Sequence, residues 1–147
     1  DDGKHAISYT DVNDLAKAII QSIDAENNDV YNVSSFTASI ADFIALAKQR
    51  LEKNPVLVSA TAAFLQEHDI AEWIHLPLWL NGDYLQTDST KIKKAYNFSF
   101  SPIEETIDKL LDFYANILQW KQPETTMPSL PAEKEATLIL ELTNENK

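Results

Sequence analysis

Apolar residues recur every three or four positions in several stretches of this chain, a spacing that places them on one face of a helix. The first series predicts a helix whose inward face carries Leu15, Ala18, Ile19 and Ile23. Asp11 or Asp14 stands at its start as the capping residue. A second series predicts a helix, capped by Thr37 or Ser39, whose inward face carries Ile40, Phe43, Ile44, Ala47 and Leu51.

Short runs of β-branched and aromatic residues separate these helices and predict strands. They are residues 7–9, 30–33 and 56–58, and a hydroxyl-rich loop is expected at 34–39. A short helix is predicted at 61–68. The alternation of strands and helices indicates an α/β fold, a small mixed lobe of short strands and about four to five helices.

Two more helices complete the regular pattern. Asp88-Ser89-Thr90 is expected to open a short helix that runs to Tyr96. Residues 101–104 (Ser-Pro-Ile-Glu) have the form of a capping box with proline at the first helical position. The apolar series behind that box continues at helical spacing to about Trp120 and predicts the longest helix.

The composition changes at Lys121, where a segment with three prolines begins, as is typical of an extended linker. Residues 136–142 are predicted to form a terminal strand or helical turn. The sequence therefore divides into a lobe at 1–120 and a Pro-rich linker with a terminal arm at 121–147.

Composition narrows the functions open to this chain of 147 residues. With only 2 glycines, it has no Gly-rich loop of the kind whose backbone amides cradle a phosphate. The lack of cysteine excludes Cys-ligated metals and fits a cytoplasmic location. A formal net charge of −11 argues against binding to nucleic acid or to an anionic membrane. No apolar run approaches the roughly 18–20 residues that span a bilayer.

Residue patterns that carry catalysis or bind metals are weak in this sequence. The three histidines show no paired metal-ligand spacing; they are His5, His68 and His75. The acid pairs at 11–14 and 104–105 lie at predicted helix starts, where carboxylates complement the helix dipole. The sequence therefore predicts no catalytic residue and no metal site in this chain.

The best candidate for a binding segment is rich in aromatic residues. Residues 73–85 have no clean period, contain Pro77 and Gly82, and are predicted to form a loop. Apolar walls with a few polar tips are typical of small-molecule pockets. The candidate substrate contacts in this segment are Trp73, His75, Trp79 and Tyr84. The alternative is that these aromatic side chains only seal a small core.

Several motifs follow one another in an order that has a parallel in a known family. They are Val-Asn-Asp-Leu-Ala-Lys-Ala at 12–18, Val-Tyr-Asn-Val at 30–33, Asp-Ser-Thr-Lys at 88–91 and Tyr-Asn-Phe-Ser-Phe-Ser-Pro at 96–102. Together they resemble the extended short-chain dehydrogenases/reductases, the NAD-dependent epimerase/dehydratase family, with Asn97 in place of the usual glycine. The resemblance covers roughly residues 3–115.

The resemblance implies that this chain is the C-terminal part of an extended Rossmann-type enzyme: the last strand of the nucleotide-binding sheet and the substrate lobe. The family's Gly-x-x-Gly-x-x-Gly loop and Tyr-x-x-x-Lys pair do not occur in this sequence. The chain alone is therefore expected to bind no cofactor and to be inactive, while the parent protein would use NAD or NADP. The implied partners are the N-terminal Rossmann portion, a small-molecule substrate and a second copy in a homodimer.

The resemblance also implies site residues and a substrate class. It puts Tyr9 and Thr10 near the sheet edge that faces the cleft, and Trp79 in the variable substrate loop. Because Arg50 is the only arginine, a substrate smaller or less anionic than a nucleotide sugar fits better. Two other hypotheses remain open: an independent module that binds a small ligand or a protein, and a non-catalytic NAD(P)-sensing regulator of the same family.

Overall fold

The computed structural model describes residues 3–25, 29–76, 79, 85–121 and 130–145. Within these ranges the chain has a mixed α/β structure, which confirms the predicted class. Its elements are β1 (Ala6–Tyr9), α1 (Val12–Asp24), β2 (Phe36–Ser39), α2 (Ile40–Leu51), α3 (Ala62–Glu67), α4 (Thr90–Tyr96), α5 (Ile103–Asp112), a π-helical segment (Phe113–Ile117) and α6 (Ala132–Glu145).

The elements belong to two units, each assembled from segments that are distant in sequence. Unit 1 consists of Asp1–His5, Ile40–Gly82 and Gln122–Lys147. Unit 2 consists of Ala6–Ser39 and Asp83–Lys121. Unit 1 therefore contains α2, α3 and α6, and unit 2 contains the sheet, α1, α4, α5 and the π-helical segment.

The sheet of unit 2 is an antiparallel pair, with Ala6 opposite Ser39 and Tyr9 opposite Phe36. The strand predicted at 7–9 is confirmed. The loop predicted at 34–39 is wrong, because residues 36–39 pair along β1 and so satisfy their backbone hydrogen bonds. The strand predicted at 30–33 is also wrong, since these residues belong to no strand of the described structure.

Helix α1 begins as predicted but buries a different face. Asp11 is its N-cap, and the carboxylate accepts a hydrogen bond of 2.8 Å from the backbone N–H of Asn13. Ala18 is buried, but Leu15, Ile19 and Ile23 are 41%, 52% and 68% exposed. The predicted apolar inward face is therefore wrong for these three residues.

Local signals around α4 predict its limits well. Asp88 accepts hydrogen bonds from the backbone N–H and the hydroxyl of Thr90, at 2.8 and 2.6 Å, where the helix begins. Asn97 ends the helix with a φ of 50°, a left-handed conformation that asparagine tolerates better than most residues. The core of unit 2 packs Ala18, Ile92 and Phe98 together.

The long helix after Pro102 starts and ends differently from the prediction. Pro102 is the N-cap residue and Ile103 the first helical residue, so the predicted capping box is wrong. The hydroxyl of Ser101 donates to Asp14 instead, at 3.1 Å. Helix α5 then passes into the π-helical segment, so helical structure stops at Ile117, before the predicted end near Trp120.

Unit 1 is built around a small apolar core of Leu65, Ile70 and Leu138. Helix α3 has the predicted extent, and the Thr61 hydroxyl caps it by accepting from the N–H of Phe64 at 3.1 Å. The strand predicted at 56–58 is wrong, because these residues lie outside every described strand. The segment predicted as a terminal strand or turn is the 14-residue helix α6. No described helix is long and apolar enough to cross a membrane.

Candidate functional site

A cavity of about 830 Å³ lies within unit 1. Its walls come from α2, from the irregular segment 56–60, from α3 and from α6, and Gly3, Leu76, Trp79 and Leu130 also line it. Ligand pockets for small molecules commonly measure about 300–1,000 Å³. The size of this cavity therefore suits a small organic molecule.

The lining of the cavity is mainly apolar. Each wall contributes aliphatic or aromatic side chains, among them Ile44, Val56, Phe64, Trp79, Leu138 and Ile139. Some of these side chains remain open to solvent, since Val56 is 89% and Leu57 60% exposed. Removing such surface from water is favourable, so the cavity offers a binding energy that an apolar ligand can realise.

Charged groups in the lining are few. Lys48 of α2 is partly buried, and Glu135 in the first turn of α6 is exposed. Within the described part of the chain, the side chains of these two residues form no hydrogen bond or ion pair. Both groups are therefore available to a ligand.

Two contacts between α3 and α6 hold the α6 wall in position. The Nε2 atom of His68 lies 3.2 Å from a carboxylate oxygen of Glu141, and the Lys134 ammonium donates to the His68 carbonyl at 2.8 Å. The His68 ring also packs on Phe64, with 4.2 Å between ring centroids. Because Phe64 lines the cavity, this cluster links the docking of α6 to the shape of the site.

The surroundings of His68 shift its pKa. Its Nδ1 donates to the Phe64 carbonyl at 2.8 Å, and this hydrogen bond raises the pKa of His68. Desolvation opposes the rise, while the charges of Glu141 and Glu67 add to it. The pKa of His68 therefore lies above its ordinary value.

Of the substrate contacts predicted in the aromatic segment, some line the cavity and others do not. Trp79 lines the cavity, and its backbone N–H donates to the Leu76 carbonyl at 3.3 Å. Trp73 donates its backbone N–H to the Trp79 carbonyl at 3.2 Å, and the Nδ1 of His75 accepts from the Ala71 N–H at 2.8 Å. Neither Trp73 nor His75 is among the described residues that line the cavity. Tyr84 lies outside the described residues.

Tyr9 and Thr10, the other predicted contacts, belong to unit 2. The Tyr9 ring stacks on Phe36 at a centroid distance of 5.7 Å, and burial raises the pKa of the Tyr9 phenol. The Thr10 hydroxyl donates to the Val33 carbonyl at 2.6 Å. These contacts stabilise the end of β1 and the segment beside it.

The best-defined polar cluster of unit 2 centres on the fully buried Asp14. One of its carboxylate oxygens accepts from the Ser35 hydroxyl at 2.7 Å and from the Ser101 N–H at 2.8 Å. The other accepts from the Ser101 hydroxyl at 3.1 Å and lies 3.6 Å from the ammonium of Lys17. Since this carboxylate is hydrogen-bonded on both oxygens, it acts as a structural anchor that joins α1 to residues 35 and 101.

Asp11 extends this cluster toward α5. Burial alone would raise the pKa of Asp11, but hydrogen bonds from the Thr106 hydroxyl, the Asn13 N–H and Lys109 outweigh it. The pKa of Asp11 is therefore lowered. The distances to Thr106 and Lys109 are 2.8 and 3.3 Å, so Asp11 ties the start of α1 to α5.

In the described ranges, no group of three or more His, Asp or Glu residues is arranged to hold a metal ion. Sequence reasoning missed Lys48 and the contribution of α6 to the candidate site. The available signals were the position of Lys48 within an amphipathic helix and the apolar series at 138–142, which the prediction assigned to a strand or turn.

No protein-family model, curated protein or solved structure matches this chain. The resemblance to the epimerase/dehydratase family therefore rests on the sequence motifs alone.

Proposed function

We propose that this chain binds a small molecule with a mainly apolar body in the unit 1 cavity. We further propose that it is the substrate-selecting part of an NAD(P)-dependent oxidoreductase of the epimerase/dehydratase type. The observation that carries the proposal is the cavity of about 830 Å³ with its apolar lining. The order of the family-like motifs supports the second half of the proposal.

In this proposal the residues of the chain select a substrate and do no chemistry on it. The Trp79 ring and the aliphatic side chains of α2 and α6 enclose the apolar body of the ligand. Because apolar burial has no direction, selection depends on the volume and shape of the ligand. Hydride transfer and proton transfer belong to a cofactor and a Tyr-x-x-x-Lys pair that this chain does not carry.

Cavity-filling substitution tests the binding site. Ala45 is an exposed α2 residue in the cavity wall, and Ala63 is an exposed α3 residue outside the lining. We expect decanol to change the tryptophan fluorescence of the native chain in a saturable way. A45F should weaken this binding about tenfold, while the matched control A63F should leave it unchanged. Equal binding by all three proteins would refute the cavity as the site.

A thermal-shift measurement tests whether cofactor binding belongs to a part of the parent protein outside this chain. We expect neither NAD nor NADP to raise the melting temperature of this chain, because it contains no Gly-rich loop for the pyrophosphate. The parent protein should be stabilised by one of the two cofactors. A rise in the melting temperature of the 147-residue chain with either cofactor would contradict this part of the proposal.

A second candidate function is that of a protein-interaction module, including self-association. The specific observation in its favour is the exposed row of Ile19, Ile20 and Ile23 on α1. Contiguous exposed apolar surface is a common mark of interaction sites. Sedimentation velocity checks the homodimer directly: a dimer that dissociates in the I19K/I23K variant supports it, and a native monomer at the highest soluble concentration excludes it.

A further inference from the structure

Among the described residues, the cavity wall contains one cationic side chain, that of Lys48. This residue is the last lining residue of α2, one turn after Ile44 and Ala45, and is partly buried. Within the described residues, its ammonium group has no hydrogen-bond acceptor and no carboxylate partner. An unpaired charge beside an apolar cavity is unfavourable compared with one that is paired, so the site favours a ligand that brings an anion.

Glu135, the one acidic residue among the described lining residues, competes with this preference but is less effective. It is exposed at the first turn of α6, whereas Lys48 is partly buried. Solvent and salt screen an exposed charge more strongly than a partly buried one. The cavity should therefore prefer an anionic ligand, as the charge of Lys48 dictates.

We propose that the ligand of this cavity is an amphiphilic monocarboxylate, with an aliphatic or aromatic body and a single carboxylate paired with the Lys48 ammonium. This inference rests on the proposed function and specifies its ligand class. The single cation among the described lining residues matches a singly charged head group. A diphosphate would leave charge uncompensated, since phosphate groups require several cationic or N–H donors.

The test compares three single-chain probes with different head groups: decanoate, whose ten carbons include the carboxylate carbon, decanol and decyltrimethylammonium, which both carry a ten-carbon alkyl chain. Dissociation constants are measured by tryptophan fluorescence for the native chain and its variants, at pH 7 and fixed ionic strength. We expect decanoate to bind about tenfold tighter than decanol, because a charge-assisted contact adds to the shared apolar contacts. The ammonium probe should bind most weakly.

Variants assign the preference to Lys48. In K48M the preference for decanoate over decanol should disappear, since methionine keeps an apolar stem without the charge, and K48R should retain most of it. The exposed Lys53 lies outside the described lining and gives the matched control K53M, which should bind all three probes like the native chain. E135Q should bind decanoate somewhat tighter.

The outcomes separate this inference from the proposed function. If none of the three probes binds, the proposed function itself fails. If decanoate and decanol bind equally to the native chain, the cavity binds apolar molecules but the monocarboxylate inference is overturned. Tightest binding of the ammonium probe would also overturn it and would assign the head-group site to Glu135. Preservation of the decanoate preference in a folded K48M, checked by circular dichroism, would remove Lys48 from the site.

Discussion

At the scale of single residues, the two aspartates near the start of α1 have different roles. Asp11 caps the helix, and Asp14 is buried on the same side of it and joins α1 to residues 35 and 101. The sequence motif around them, which the family resemblance emphasises, therefore corresponds to a hydrogen-bonded anchor. Its contribution is to the stability of unit 2.

We predict that Asp14→Ala lowers the free energy of unfolding by about 3 kcal/mol, because it leaves the buried donors of Ser101 and the partly buried hydroxyl of Ser35 without their acceptor. Urea unfolding followed by circular dichroism measures the change. Asp24→Ala is the matched control, since Asp24 is an exposed residue at the end of the same helix, and its effect should be close to zero. Equal effects of the two substitutions would show that Asp14 is no anchor.

A second prediction at this scale concerns acid stability. The pKa of Asp11 is lower in the folded chain than its ordinary value of about 4. The ionised carboxylate therefore stabilises the fold at pH values above about 4, and this stabilisation is lost as the pH falls through the folded-state pKa. Urea unfolding between pH 6 and pH 3 should show a smaller loss of stability in Asp11→Asn than in the native chain. Parallel curves for the two proteins would contradict the prediction.

At the scale of elements, the feature of most consequence is the attachment of α6 to α3. The only described ion pair of this attachment joins His68 to Glu141, and Lys134 adds a hydrogen bond to the His68 carbonyl. Leu138 of the same helix belongs to the core and lines the cavity. Whatever weakens the attachment should therefore also change the binding site.

We predict that binding of decanol, which has no charge of its own, weakens as the pH rises through the folded-state pKa of His68. The pKa of His68 is raised in the folded chain, so its stabilising charge is fully present below about pH 6.5 and disappears as the pH passes the folded-state pKa. Dissociation constants measured between pH 6 and pH 9 should increase in the native chain and stay nearly constant in His68→Gln. His5→Gln is the control and should follow the native curve; a pH-independent native chain would contradict the prediction.

At the scale of the whole molecule, the excess of 23 acidic over 12 basic residues should act on stability through repulsion. We predict that raising the sodium chloride concentration from about 10 to 150 mM increases the melting temperature by about 3 °C, because salt screens exposed like charges. Differential scanning fluorimetry measures the shift, and sucrose of equal osmolality is the control. An unchanged or lower melting temperature in salt would show that favourable ion pairs outweigh the repulsion.

The accuracy of the sequence-based predictions follows the range of the interactions involved. The cap at Asp11, the helix that begins after Thr61 and the start of α4 at Thr90 depend on hydrogen bonds between residues two or three positions apart. The sequence predicted the cap and both helices, though not the role of Thr61 as a cap. Residues 36–39 have no comparable local signal. They form β2 only because β1 lies beside them, a pairing that links residues about thirty positions apart.

In the candidate site, too, the features that depend on long-range contacts could not be predicted from the sequence. The aromatic segment indicated Trp79, which does line the cavity, but gave no means of separating it from Trp73 and His75. The rest of the site comes largely from α2, residues 56–60, α3 and α6, which line one cavity only in the folded chain. A pattern of apolar residues predicts which face of α6 is buried, but not which helix it packs against.

The assembly of unit 1 from distant segments has a kinetic consequence. The His68–Glu141 contact spans 73 positions, so the chain must close a long loop before α6 packs against α3 and forms its wall of the cavity. Closing a loop of this kind slows folding, because its entropic cost precedes any stabilising contact. The pocket is therefore complete only after this loop has closed. A molecule that occupies it would slow the departure of α6 and lengthen the lifetime of the native state.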